Sequence, residues 1–141
     1  MTEKLLDTVP STVETTFRVR FAETDQMGIV HHTNYIVWFE EARSAWMRAH
    51  GSSYTEFEAD GVSLAVSEVR AQFRAPARYD WRVTVRCRVA SVRSRQMAFA
   101  YEVLNAETGH ILVTGQTIHI CIDRAGQARR IPHKWQVFLS Q

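Results

Sequence analysis

The chain has 141 residues, of which 45% are hydrophobic and 23% charged, and a formal net charge of +2. That length and mixture describe one globular domain over residues 1–141 with a sizeable core, and they exclude a disordered, collagen-like or low-complexity chain. The charge is too small to point to nucleic acid, and no window approaches the ~18 consecutive apolar residues of a membrane span.

The opening MTEKLLDTVPST has acids beside Lys4 and no long apolar run. It reads as a flexible tail over residues 1–12 without the marks of a signal or transit peptide, so the cytoplasm is the expected compartment. From 13 to 21 apolar and polar residues alternate, with Phe17, Val19 and Phe21 on one face, which is the period of a half-buried strand. Asp25 and Gly28 break that pattern. From about Thr33 to His50 the residues Tyr35, Trp38, Phe39, Ala42, Ala45, Trp46 and Ala49 recur at helical spacing. Thr33 or Asn34 can cap this helix, Arg48 and His50 suit its negative end, and Gly51 fits the residue after its last turn. A short helix follows at about 54–60, where Ser53 and Glu56 have the spacing of a capping box.

Strands then arrive in succession. Between 62 and 75 the apolar parity switches from even (Val62, Leu64, Val66) to odd (Val69, Ala71, Phe73), which places a bulge near Ser67 and Glu68. Residues 81–89 alternate cleanly, and runs at about 96–105 and 110–122 are joined by the turn residues Asn105–Gly109. Gly115 interrupts the last strand and reads as a further bend. Pro132 stands at a first helical position for a short terminal helix ending near Leu139. Cys87 and Cys121 lie inside strand-like runs and are expected as buried, reduced thiols. The order is an α+β arrangement with a mainly antiparallel sheet. A long helix carrying Tyr35, Trp38, Phe39 and Trp46 has more apolar area than a surface helix, so the bent sheet is expected to wrap around it.

The stretch Phe21 to Arg43, FAETDQMGIVHHTNYIVWFEEAR, carries the chemistry. Its pieces are T-D-x-M-G-I-V from Thr24, H-x-N-Y from His32 and W-F-E-x-A-R from Trp38, with weaker matches at F-R-A-P-A-R-Y-D from Phe73 and H-I-C-I-D from His119. In these residues the chain resembles the hot-dog-fold acyl-CoA thioesterases of the 4-hydroxybenzoyl-CoA thioesterase group, including its Tol–Pal-associated branch. The resemblance implies a hot-dog fold, a five-stranded antiparallel sheet bent around one long central helix, and hydrolysis of an acyl thioester. It implies Asp25 as nucleophile or general base, the backbone N–H at His32 as oxyanion site, and a part for the His32 imidazole. Two positions depart from that branch, which commonly has tyrosine where Phe21 stands and an aromatic residue at His31.

The residues read alone are compatible with that chemistry. Asp25 lies just before a helix whose first N–H groups lack intrahelical acceptors and carry partial positive charge, where a developing oxyanion is stabilised. From its local setting Asp25 fits a turn acid as well. The ordered matches favour catalysis. His31 and His32 lack a third ligand at recognisable spacing, so no metal and no cofactor are expected, coenzyme A entering only as part of the substrate. Glu40 and Glu41 read as solvated helix charges, with Glu40 a reserve catalytic acid because another hot-dog group places its carboxylate on this helix.

Tyr35 is a candidate for lining the acyl pocket, and Ser67 for facing substrate from a partner subunit. Among Arg74, Arg78, Arg124, Arg129, Arg130 and Lys134, the pair Arg129 and Arg130 is the foremost candidate for coenzyme phosphates. Open strand edges point to a homodimer at minimum, and tetramers are frequent among hot-dog enzymes. Acyl-CoA or an acyl-carrier thioester is the expected substrate. The competing functions are a hot-dog hydratase or dehydratase on acyl thioesters and a non-catalytic acyl-CoA-binding module.

Overall fold

A computed structural model describes residues 10–141. Its elements are β1 (Thr12–Arg18), a single 3-10 turn (Phe21–Glu23), α1 (Thr33–Ala49), α2 (Tyr54–Ala59), β2 (Val62–Phe73), β3 (Arg82–Val92), β4 (Gln96–Asn105), β5 (Ile111–Asp123) and α3 (His133–Leu139). The five strands form one antiparallel sheet in the order β1-β3-β4-β5-β2. The tail expected over 1–12 lies outside the described residues up to position 9, and Thr12 already belongs to β1.

The sheet curves around α1, whose inner face buries Trp38, Phe39, Trp46 and Met47 to 1% exposure or less. Each such side chain removes enough apolar area from water to contribute about 2 kcal/mol before ordering costs. Opposite them, Val83, Val85 and Cys87 of β3 and Phe99, Tyr101 and Val103 of β4 face inward. Both cysteines are buried free thiols, and burial pushes the Cys87 thiol up to about 12, which removes its reactivity. His119 is enclosed beside Thr117 and Tyr101, and burial lowers its pKa to about 4, so it stays neutral in the core.

The bulge in β2 falls where the parity switch puts it, between Val66 and Glu68, leaving Ser67 unpaired. A second bulge, between Val89 and Ser91 of β3, was not expected. Its signal is the same, because the apolar parity passes from odd at Val89 to even at Val92.

Four local expectations need correction. β1 ends at Arg18, and Phe21 sits on the 3-10 turn, 76% exposed, edge-on to Tyr79. The chain turns there because the Glu23 carboxylate accepts the Arg20 N–H at 2.8 Å. Gly115 does not interrupt β5, whose register runs on through it against both neighbouring strands. It makes room for the Phe39 ring, since a Cβ there would lie 2.5 Å from Phe39 Cζ. Pro132 precedes α3 as its cap residue, its carbonyl accepting the Trp135 and Gln136 N–H groups, instead of opening the helix. Thr33 and Asn34 do not cap α1 either. Both lie past the cap residue His32, and their side chains are engaged elsewhere, the Thr33 hydroxyl with His31 Nδ1 at 2.8 Å and the Asn34 amide with the Glu23 and His31 carbonyls.

Candidate active site at the start of the central helix

Residues 24–30 form a small hairpin that leads into α1. Thr24 bridges Val30, the Asp25 N–H donates to the Ile29 carbonyl at 2.9 Å, and the Gly28 N–H donates to the Asp25 carbonyl at 3.0 Å. Gly28 has φ +76°, the left-handed conformation that glycine adopts without a Cβ penalty. The Met27 N–H donates to Asp25 Oδ1 at 2.8 Å, which orients the carboxylate and leaves Oδ2 without a hydrogen bond among the described residues.

The hairpin is tied to its surroundings by main-chain bonds. The Val30 N–H donates to the Ala77 carbonyl and the His31 N–H to the Glu23 carbonyl, both at 2.9 Å. Asn34 Nδ2 donates to the Glu23 carbonyl at 3.0 Å and to the His31 carbonyl at 3.2 Å. His32 then opens α1 with helical angles and no side-chain cap, and its own N–H meets no acceptor among the described residues. The Thr33 N–H reaches only His31 Nδ1, at 3.4 Å. Free donors at a helix start attract negative charge.

Asp25 and His32 line one cleft of about 560 Å³, together with Met27, Tyr35, Phe73 and Arg74. Its walls are mostly apolar. The His32 ring stacks on His31 with centroids 4.4 Å apart and meets Phe73 edge-on at 5.9 Å. Tyr35 is buried, its hydroxyl accepting the Ala77 N–H at 3.1 Å, and burial raises its pKa, so it remains a neutral phenol. A hollow of similar size on the outer face of the sheet, among Arg86, Arg88 and Glu102, brings no carboxylate to a free helix start.

Asp25, His32 and Tyr35 therefore come together, and Arg74 joins them at the rim. Other candidates do not reach this cleft within one chain. Ser67 is exposed and donates to the Ile118 carbonyl, ~20 Å along β2 from Phe73. Arg129 pairs with Asp123 at 2.8 Å, and Arg130 is its exposed neighbour, near the Val62 end of β2. Arg124 and Lys134 are exposed outside the cleft, Lys134 pairing with Asp60 at 2.8 Å, while Arg78 bridges Ile29. Glu40 and Glu41 lie on the exposed side of α1. Glu23, to which the sequence assigned no part, is buried beneath the hairpin. Nothing in the local pattern distinguishes it from a loop acid.

Residues 19–139 match the model of the Thioesterase-like superfamily. The chain belongs to that family. It is 33% identical over 106 residues, 75% of this chain and 76% of the relative, to the putative acyl-CoA thioesterase YneP of Bacillus subtilis. Among solved structures, the hypothetical protein TT1821 from Thermus thermophilus superposes with a TM-score of 0.83 at 42% identity, covering 90% of this chain and 96% of that one. The DHNA-CoA thioesterase from Staphylococcus aureus superposes with a TM-score of 0.85 at 30% identity, covering 92% of this chain and 89% of the other. The bent sheet around α1 is thus the hot-dog fold expected from the Phe21–Arg43 motifs, and the thioesterase is an enzyme of the thioester hydrolase class. No helix among its described residues is long and apolar enough to cross a membrane.

Proposed function

We propose that this thioesterase hydrolyses acyl-CoA, releasing free coenzyme A and a carboxylic acid. The observation that supports the reading is the shared cleft lined by both Asp25 and His32, together with a His32 N–H that meets no acceptor among the described residues. An acyl chain packs against Met27, Tyr35 and Phe73. The thioester carbonyl oxygen accepts the His32 N–H, which stabilises the oxyanion as the carbonyl carbon becomes tetrahedral. Asp25 Oδ2 either attacks that carbon, giving a mixed anhydride that water then cleaves, or takes a proton from the attacking water. In both routes the C–S bond breaks and the leaving thiolate takes up a proton, for which the His32 side chain lining the cleft is the candidate donor. The new carboxyl oxygen comes from water directly, or from Asp25 Oδ2 when water opens the anhydride at the Asp25 carbonyl and replaces that oxygen. Neither route needs a metal or a resident cofactor.

The test is a panel of short-chain, medium-chain and aromatic acyl-CoA and acyl-carrier thioesters assayed for free thiol. Release from acyl-CoA is the expected result. Loss of enoyl absorbance from crotonyl-CoA without thiol, or tight binding with no product, replaces hydrolysis with hydration or with a binding role.

The active unit in this reading is a homodimer built on β2. That strand is an edge of the sheet, 12 residues long, and it carries the half-exposed apolar residues Val66, Val69 and Phe73. A long apolar edge of this kind is a template for a second copy. Antiparallel pairing of two β2 strands about Ser67 sets the Val62 end of one copy beside Phe73 of the other. Arg129 and Arg130 of one copy then approach the cleft of the other, where the coenzyme phosphates lie. Val69→Asp is expected to halve the mass seen by sedimentation equilibrium. An unchanged mass rejects this interface.

A further inference from the structure

We propose that Glu23 is a positioning residue of the reaction: its buried carboxylate, clasped by the Trp38 indole, locks the Asp25 hairpin in register with the start of α1. The proposal rests on the reading of Asp25 and the His32 N–H as the reacting groups.

Glu23 is 7% exposed, an unusual place for a carboxylate, and its partners come from both sides of the site. Oε2 accepts the Trp38 indole N–H at 2.6 Å and Arg20 Nη2 at 2.9 Å, and Oε1 accepts the Arg20 backbone N–H at 2.8 Å. Its carbonyl accepts the His31 N–H at 2.9 Å and Asn34 Nδ2 at 3.0 Å. One residue therefore grips the second turn of α1 through its side chain and the approach to His32 through its main chain. Asp25 lies two residues farther on.

Trp38 is a firm anchor because its ring packs edge-on against Phe17 at 5.1 Å and Tyr35 at 5.0 Å. The core accounts for its ring but not for its N–H, which points to a carboxylate outside the core. Hydrogen bonds to an ionised acceptor are about twice as strong as neutral ones. Sliding the hairpin along α1 would strip a desolvated carboxylate of its donors, so the low-energy register is narrow. A reacting group displaced by ~1 Å loses up to ~100-fold in rate. The clasp also joins two motifs that are separate in the chain, the T-D-x-M-G loop and the W-F-E-x-A-R helix.

The test uses the full-length protein with its best acyl-CoA substrate. Glu23→Gln keeps the side-chain shape but has one acceptor oxygen for donors on two sides, and Trp38→Phe keeps a ring while removing the indole N–H. Each is expected to lower kcat ~10–100-fold with KM within about twofold, and the double variant to fall no further than the worse single one. Hydrogen exchange of the His31 amide is measured alongside, because it reports the Glu23 clasp without reference to turnover. Faster exchange in Glu23→Gln is expected. Where a core variant fails to fold, Asn34→Ala removes one bond to the Glu23 carbonyl at a half-exposed site and is expected to lower kcat a few-fold. Parental kcat and parental His31 protection in Glu23→Gln overturn the proposal, as does a rise in KM at constant kcat. An Asp25→Asn variant with parental turnover sinks the reading of Asp25 instead, and the lock is then judged by His31 exchange alone.

Discussion

Asp25→Asn is expected to release thiol about 10³-fold more slowly than the parent at saturating substrate, with its thermal unfolding midpoint within ~2 °C. The amide oxygen of asparagine can still accept the Met27 N–H that Oδ1 accepts, so the hairpin keeps its Gly28 turn and the cleft its shape. What disappears is the negative charge and the basic oxygen. Neither attack on the carbonyl carbon nor proton removal from water survives that change, while the helix-start donor and the apolar wall remain to bind substrate. The residual rate reports the oxyanion site alone, and KM changes little. Single-turnover hydrolysis in oxygen-18 water separates the two routes, since cleavage of an anhydride at the Asp25 carbonyl leaves label in the protein. A loss below tenfold removes Asp25 from the chemistry.

Gly115→Val is the largest expected effect on stability. A Cβ at this position would stand 2.5 Å from Phe39 Cζ and 2.6 Å from Cε2, far inside van der Waals contact. The ring has little freedom to give way, because it lies flat on Tyr101 with centroids 4.2 Å apart and is fully buried. Overpacking of this kind costs about 3 kcal/mol, or ~10 °C in the unfolding midpoint. Because Phe39 follows Tyr35 by one helical turn, displacing it also shifts the wall of the cleft. Shortening the obstructing side chain in Phe39→Leu reopens the space, so the double variant is expected to be more stable than the sum of the single losses. A fully additive pair, or a midpoint unchanged in Gly115→Val, contradicts the close approach of helix and sheet.

Much of this was legible in the chain, for identifiable reasons. Strand alternation, the spacing of Trp38, Phe39 and Trp46 and the parity switch at Ser67 are short-range patterns, and they determine the elements, their order and the buried face of α1. The Asp25 hairpin and His32 are seven residues apart, so one local turn brings both to a common cleft, and their motif can be read in sequence. Gly115 and Phe39, by contrast, are distant in the chain and meet only when the sheet closes on the helix, so the glycine read as an interruption of β5 instead of as clearance for a ring. Glu23 looked like any loop acid until Trp38, fifteen residues on, supplied its indole donor. Arg129 and Arg130 have a basic character plain in the sequence, but their distance from the cleft follows from strand register. Periodicity and motif record what neighbours along the chain do to one another, whereas clearance, clasp and reach depend on surfaces that touch only after folding.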